Sequence, residues 1–96
     1  MKLLGLDPEA RKELSDALAR SFNPIAFQDK VDAALMEIVS GVIVYPRYEA
    51  TVARECPLHR LPYSMIYTDE NREVWIVAFA HHKRRPGYWK SRLKKS

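Results

Sequence analysis

The stretch AHHKRRPGYWKSRLKKS, from Ala80 to Ser96, holds two of the chain's three histidines, seven lysines or arginines, and no carboxylate. His81 and His82, with His59 upstream, carry imidazoles, the side chain suited by type to proton transfer. Lys83, Arg84 and Arg85, with Arg54 and Arg60 outside the stretch, suit the holding of phosphate or carboxylate groups. Tyr88 adds a hydroxyl that can donate a proton. The histidine pair makes a poor metal site: adjacent residues at a strand end face opposite ways, and no third ligand stands at helical or loop spacing. Cys56, before Pro57, has no nucleophile context and reads as an inert thiol. It is the single cysteine, so no internal disulfide can form, which fits a reducing compartment.

The positive charge is local. The last sixteen residues carry +7, while the rest of the chain has nine Lys or Arg against twelve Asp or Glu, leaving a net charge of +4. Such a block attracts a polyanion or an acidic protein surface when it is held in place, and is only a solvated terminus when it is not. The elements before it decide which.

The bounds are simple. A chain of 96 residues, 47% hydrophobic and 29% charged, supports one globular domain with one modest core, here residues 1–96 with a basic tail over 81–96. No apolar run approaches the roughly 20 residues of a membrane helix. MKLLGL is followed at once by Asp7, Pro8 and Glu9, so it lacks the form of a secretion signal. A cytoplasmic protein with no membrane partner and no cofactor is expected.

KLLGL (Lys2 to Leu6) reads as a first strand, stopped by Asp7-Pro8. Asp7 as N-cap, Pro8 at the first helical position and Glu9 at the positive end of the dipole open a helix that runs to Ser21 or Phe22. Asn23-Pro24 repeats the signal for a second helix, with Phe27, Val31, Ala34, Leu35, Ile38 and Val42 on one stripe and Gly41 as its end. So short a turn makes the two helices an antiparallel hairpin that needs a sheet beneath it.

Val42 to Tyr48, broken by Pro46, reads as a connection with some buried side chains, with Tyr45 and Tyr48 as a lid over one end of the core or, alternatively, a partner-binding patch. EATVARE (Glu49 to Glu55) reads as a strand. RLPYSMIYT (Arg60 to Thr68) places Leu61, Tyr63, Met65 and Tyr67 on one face of another. DENR (Asp69 to Arg72) is the turn into EVWIVAFA (Glu73 to Ala80), a strand buried on both faces, with Trp75 and Phe79 in the core. The basic stretch thus leaves the most rigid part of the fold. Pro86-Gly87 turns Tyr88 and Trp89 back onto the sheet as a pin, fixing Lys83, Arg84 and Arg85, whereas Arg92, Lys94 and Lys95 lie beyond it as mobile charge. The fold class is α+β: an N-terminal strand, a two-helix hairpin and a small, mainly antiparallel sheet in the order β-α-α-β-β-β.

This order, with RLPYSMIY followed by VWIVAFAHHKRRPGYWKSRL, resembles the RelE/ParE superfamily of type II toxins, and more closely the ParE-like branch often called plasmid stabilisation proteins. The resemblance runs from the Pro8-Glu9-Ala10 helix start to Leu93. It implies a growth-arresting toxin held inactive by a cognate antitoxin in a hetero-oligomer, the antitoxin lying in the groove between hairpin and sheet.

Two actions are known in the superfamily. RelE-like members enter the ribosome and cut mRNA; ParE-like members with known targets act on DNA gyrase. Metal-independent RNA cleavage needs an acid, a base and cations where charge develops, and His59, His81, His82, Arg54 and Tyr88 are the candidates. The strand matching PYSMIY, however, carries Ser64 where RelE-like enzymes typically carry an arginine, and TVARECP offers Arg54 alone where some carry a lysine pair. The resemblance therefore implies the gyrase-type action, with Lys83, Arg84, Arg85, Tyr88 and Trp89 binding the target. A plain nucleic-acid-binding module would share the tail charge but leave the helical hairpin unexplained.

Overall fold

The computed structural model describes residues 2–94. Strand β1 (Leu3–Leu6) is followed by helices α1 (Pro8–Arg20) and α2 (Pro24–Ser40), then by β2 (Arg54–Pro57), β3 (Tyr63–Glu70) and β4 (Glu73–His81), and a short 3-10 helix (Lys90–Lys94) is the last element among the described residues. The sheet order is β1-β4-β3-β2, with β1 parallel to β4 and the other pairs antiparallel.

The helix boundaries follow local chemistry. Asp7 Oδ1 accepts the Glu9 N–H at 2.9 Å and Asn23 Oδ1 accepts the Ala26 N–H at 3.1 Å, each filling one donor that the first turn leaves free. Gly41 ends α2 in the left-handed region at φ 76°, a conformation glycine takes without a Cβ clash. That turn takes Val42 off the α2 stripe: Val42 is exposed, while Val39, outside the expected stripe, is buried.

The two faces of the sheet carry separate cores. Phe27, Val31, Ala34 and Ile38 of α2, with Ala10 and Ala17 of α1, pack on Met65, Tyr67, Val74, Ile76 and Phe79. On the opposite face Ile66, Val77 and Ala78 pack against Trp89 and Ala53. Consecutive Val77 and Ala78 share a face because β4 has a bulge: Ile66 pairs with Ala78 and Tyr67 with Ile76, leaving Val77 without an opposite residue.

Three expectations need correction. The strand placed over Glu49 to Glu55 begins only at Arg54, because Glu49 sits at φ 50° and Thr51 Oγ1 donates to the Tyr48 carbonyl at 2.7 Å, which holds the chain in a turn. The turn over Asp69 to Arg72 is narrower: Asp69 and Glu70 pair with Val74 and Glu73, and only Asn71 and Arg72, both at positive φ, make the reversal. Trp75 is not a core residue. It is about one-third exposed, its ring lying across Gly5 of β1, where a Cβ would come within 2.6 Å of it.

Candidate functional site: the basic C-terminal segment

The segment after β4 is held rather than frayed. The His82 N–H donates to the Pro62 carbonyl at 2.9 Å, continuing the β3–β4 ladder one step past the strand. Lys83 N–H then donates to His81 Nδ1 at 3.0 Å and Arg84 N–H to the His81 carbonyl at 2.9 Å, a tight turn that aims the three cations. Because His81 Nδ1 accepts, the neutral ring carries its proton on Nε2.

The two histidines diverge as alternation requires. His81 packs edge-on against Tyr63 with centroids 4.9 Å apart, on the helix side. His82 Nε2 lies 3.0 Å from Oγ of Ser64, a buried hydroxyl whose partner is that ring.

The return is built around Gly87, at φ 75°, followed by two short backbone bonds, Lys90 N–H to the Gly87 carbonyl and Arg92 N–H to the Trp89 carbonyl, both at 2.9 Å. Trp89 is 2% exposed and meets Tyr48 edge-on at 4.9 Å, so its indole alone buries enough apolar surface to be worth about 2–3 kcal/mol. Tyr48 is thus a wall of the pin, while Tyr45 is tucked beside Cys56 and Glu37, where burial first and those neighbours second push its phenol up to about 12. Cys56 is a buried free thiol, pushed up by burial.

Tyr88 turns toward α1. Its hydroxyl donates to Glu13 Oε2 at 2.5 Å, the Arg84 guanidinium lies 3.9 Å over its ring, and burial together with the Glu13 carboxylate raises the phenol above its ordinary range. Arg92 contradicts the expectation of mobile charge. Its Nη1 and Nη2 donate to Glu13 Oε1 and Oε2 at 2.9 and 3.1 Å, and Nη1 also reaches the Val77 carbonyl at 2.9 Å. The bulge at Val77 and the end of β1 at Leu6 leave the edge of β4 without a strand partner there, and the guanidinium supplies the missing donor. The Lys94 side chain and Lys95 lie outside the described residues.

His81, His82, Arg84, Arg85, Tyr88 and Trp89 line one cleft of about 280 Å³. A neighbouring cleft on the helix side, where the His81 ring packs on Tyr63, is lined by Lys83, Arg20 and Asp16 and shared by His81 and Arg84. The remaining candidates stand apart. His59 pairs with Arg60 at 3.2 Å in a third cleft beside Glu37 and Cys56, and Arg54 donates to the Tyr45 carbonyl at 2.8 Å. The structure therefore does not gather the set His59, His81, His82, Arg54 and Tyr88 at one place. Among the described residues no group of three His, Cys, Asp or Glu side chains could hold a metal ion, and no helix is long and apolar enough to cross a membrane.

Glu13 was not legible as a site residue. It sits among Glu9, Lys12 and Asp16 on a charged helix, and only the fold singles it out.

The family model described as ParE toxin of type II toxin-antitoxin system, parDE, matches residues 5–86. No curated protein matches the chain. Among solved structures, the chromosomal ParDE TA system from P. aeruginosa is similar at 17% identity and TM-score 0.67, covering 84% of this chain and 96% of that one. A copper-bound mutant toxin from Helicobacter pylori is similar at 15% identity and TM-score 0.70, covering 85% and 96%. At these identities the likeness is one of fold. The family match ends at Pro86, so the return through Tyr88 and Trp89 stands on its geometry.

Proposed function

The chain belongs to the ParE toxin family of type II toxin–antitoxin systems, and from that premise we propose that it arrests growth by binding DNA gyrase in the cytoplasm through Lys83, Arg84 and Arg85, with Tyr88 and Trp89 as the anchor. The carrying observation is the return itself: Trp89 is buried on the open sheet face, so the cations before it are displayed at a fixed place rather than on a loose end. A preset cationic surface meets an acidic protein patch or held DNA without the entropy cost of ordering a tail.

A type II toxin has an antitoxin partner. The hairpin–sheet groove is where we place it, whereas the exposed Ile25 and Met36 lie on the opposite face of α2 from the one packed on the sheet.

The nuclease alternative, ribosome-dependent mRNA cleavage, draws on one observation, the cleft that brings His81 and His82 beside Arg84 and Arg85. It is disfavoured by two others. Arg54 and His59 lie elsewhere, and Tyr88, tied to Glu13 with its phenol raised, is a poor proton donor at neutral pH. Short induction in a bacterial host, with labelled thymidine and methionine followed in parallel, separates the readings. DNA synthesis stopping first supports gyrase; methionine incorporation collapsing first supports the nuclease, in which case His81→Gln or His82→Gln alone abolishes activity.

A further inference from the structure

We propose that Glu13 is the positioning residue of the recognition segment, a single carboxylate on α1 that sets where the cations after β4 point. This rests on the reading that the segment is what meets the target. The Glu13 side chain is 15% exposed and joins three parts of the chain. Oε1 accepts the Phe79 N–H at 3.1 Å, on the β4 edge that β1 does not reach. Oε2 accepts the Tyr88 hydroxyl at 2.5 Å, and both oxygens take the Arg92 fork. Arg84 Nη1 stands 4.0 Å from Oε2 while its guanidinium covers the Tyr88 ring.

One carboxylate thus replaces the missing strand partner and clamps the segment on both sides of the Gly87 turn. Donors that are charged or aimed at a charge make the stronger class of hydrogen bond, and the two-pronged arginine adds orientation to strength.

The clamp also sorts the three cations. Arg84 lies over Tyr88 with Nη1 4.0 Å from Glu13 while its side chain stays 54% exposed, and Lys83 and Arg85, also exposed, make no ion pair among the described residues. Lys83 and Arg85 are the unpaired cations that the target reads, and Arg84 joins them from a place set by Tyr88 and Glu13.

The test is Glu13→Gln, which keeps one acceptor and the side chain's shape but turns an amide toward Arg92. Amide hydrogen exchange at Tyr88, Lys90 and Arg92 should quicken at least about tenfold, with β3 amides such as Ile66 changing far less. At a temperature well below melting, growth arrest at equal soluble protein should fall at least about tenfold, as should inhibition of gyrase supercoiling. A core variant, Val31→Ala, that loses as much stability should keep its arrest, which separates positioning from mere stabilisation. Tyr88→Phe, lacking one bond to Glu13, should fall between wild type and Glu13→Gln, and it carries the test if Glu13→Gln does not fold.

Unchanged exchange in the segment, or quickened exchange with undiminished arrest, overturns the proposal. If wild type arrests growth without inhibiting gyrase, the gyrase reading falls while the growth assay still decides on Glu13. If wild type arrests nothing, the exchange measurement decides alone.

Discussion

Arg92 and Glu13, 79 positions apart, form a forked ion pair with nitrogen–oxygen distances of 2.9 and 3.1 Å and side chains only 11% and 15% exposed. The last turn of the described chain is therefore a structural part of the domain.

Arg92→Ala takes the forked charge partner from Glu13, leaving it the Phe79 N–H and the Tyr88 hydroxyl, and leaves the Val77 carbonyl without its donor. The cost should be about 2–3 kcal/mol, below the range for a fully buried pair because both side chains keep some solvent contact. In a domain of this size that lowers the melting temperature by roughly 10 °C or more, readable in a thermal melt. A mobile Arg92 would leave the melt unchanged.

Tyr88 gives the clamp a pH signature. Burial, then the Glu13 carboxylate, holds the phenol protonated above its ordinary range, so the folded chain keeps a proton that the unfolded chain releases near pH 10. Its contribution is whole below about pH 10 and is lost as pH rises past that value through the folded one. Tyr45 and Tyr67, raised chiefly by burial, add to the same alkaline slope. Urea midpoints measured from about pH 9 to about pH 11 should fall more gently for Tyr88→Phe than for wild type.

The two tryptophans should differ sharply. Trp89→Ala empties a site that is 2% exposed and should cost about 3–5 kcal/mol, a large share of the stability of a small domain. Trp75→Ala, at a residue 36% exposed, should cost less than half of that in paired denaturant curves.

Much of this was open to sequence reading because it rests on local signals. Asp7-Pro8 and Asn23-Pro24 cap their helices as their side-chain oxygens dictate, and the alternation of Tyr63, Met65 and Tyr67 fixes a strand face. The failures have nonlocal or competing causes. Thr51 and Glu49 turn a chain whose composition suits a strand, and Trp75, between the helix-side Val74 and Ile76, falls on the opposite sheet face, where it lies over Gly5 and is only partly covered. Arg92 looked solvated because its partner lies on α1 and its carbonyl acceptor exists only through a bulge. The cation run was visible; the carboxylate that organises it was not.

Gly87 should prove sensitive for backbone reasons. At φ 75° an alanine is strained by about 1–2 kcal/mol. Gly87→Ala should lower the melting temperature by several degrees and weaken growth arrest, since the strain falls in the turn that brings Trp89 home.

The most direct measurement is the inhibition of purified DNA gyrase in a supercoiling assay, comparing wild type with Lys83→Glu/Arg85→Glu at matched folding by circular dichroism. Wild type should block supercoiling, and the charge-reversed protein should lose at least about tenfold in potency with its melt unchanged, since both side chains are exposed. A folded double variant that inhibits gyrase as well as wild type, or a wild type that leaves gyrase untouched while arresting growth, would contradict gyrase binding through this segment.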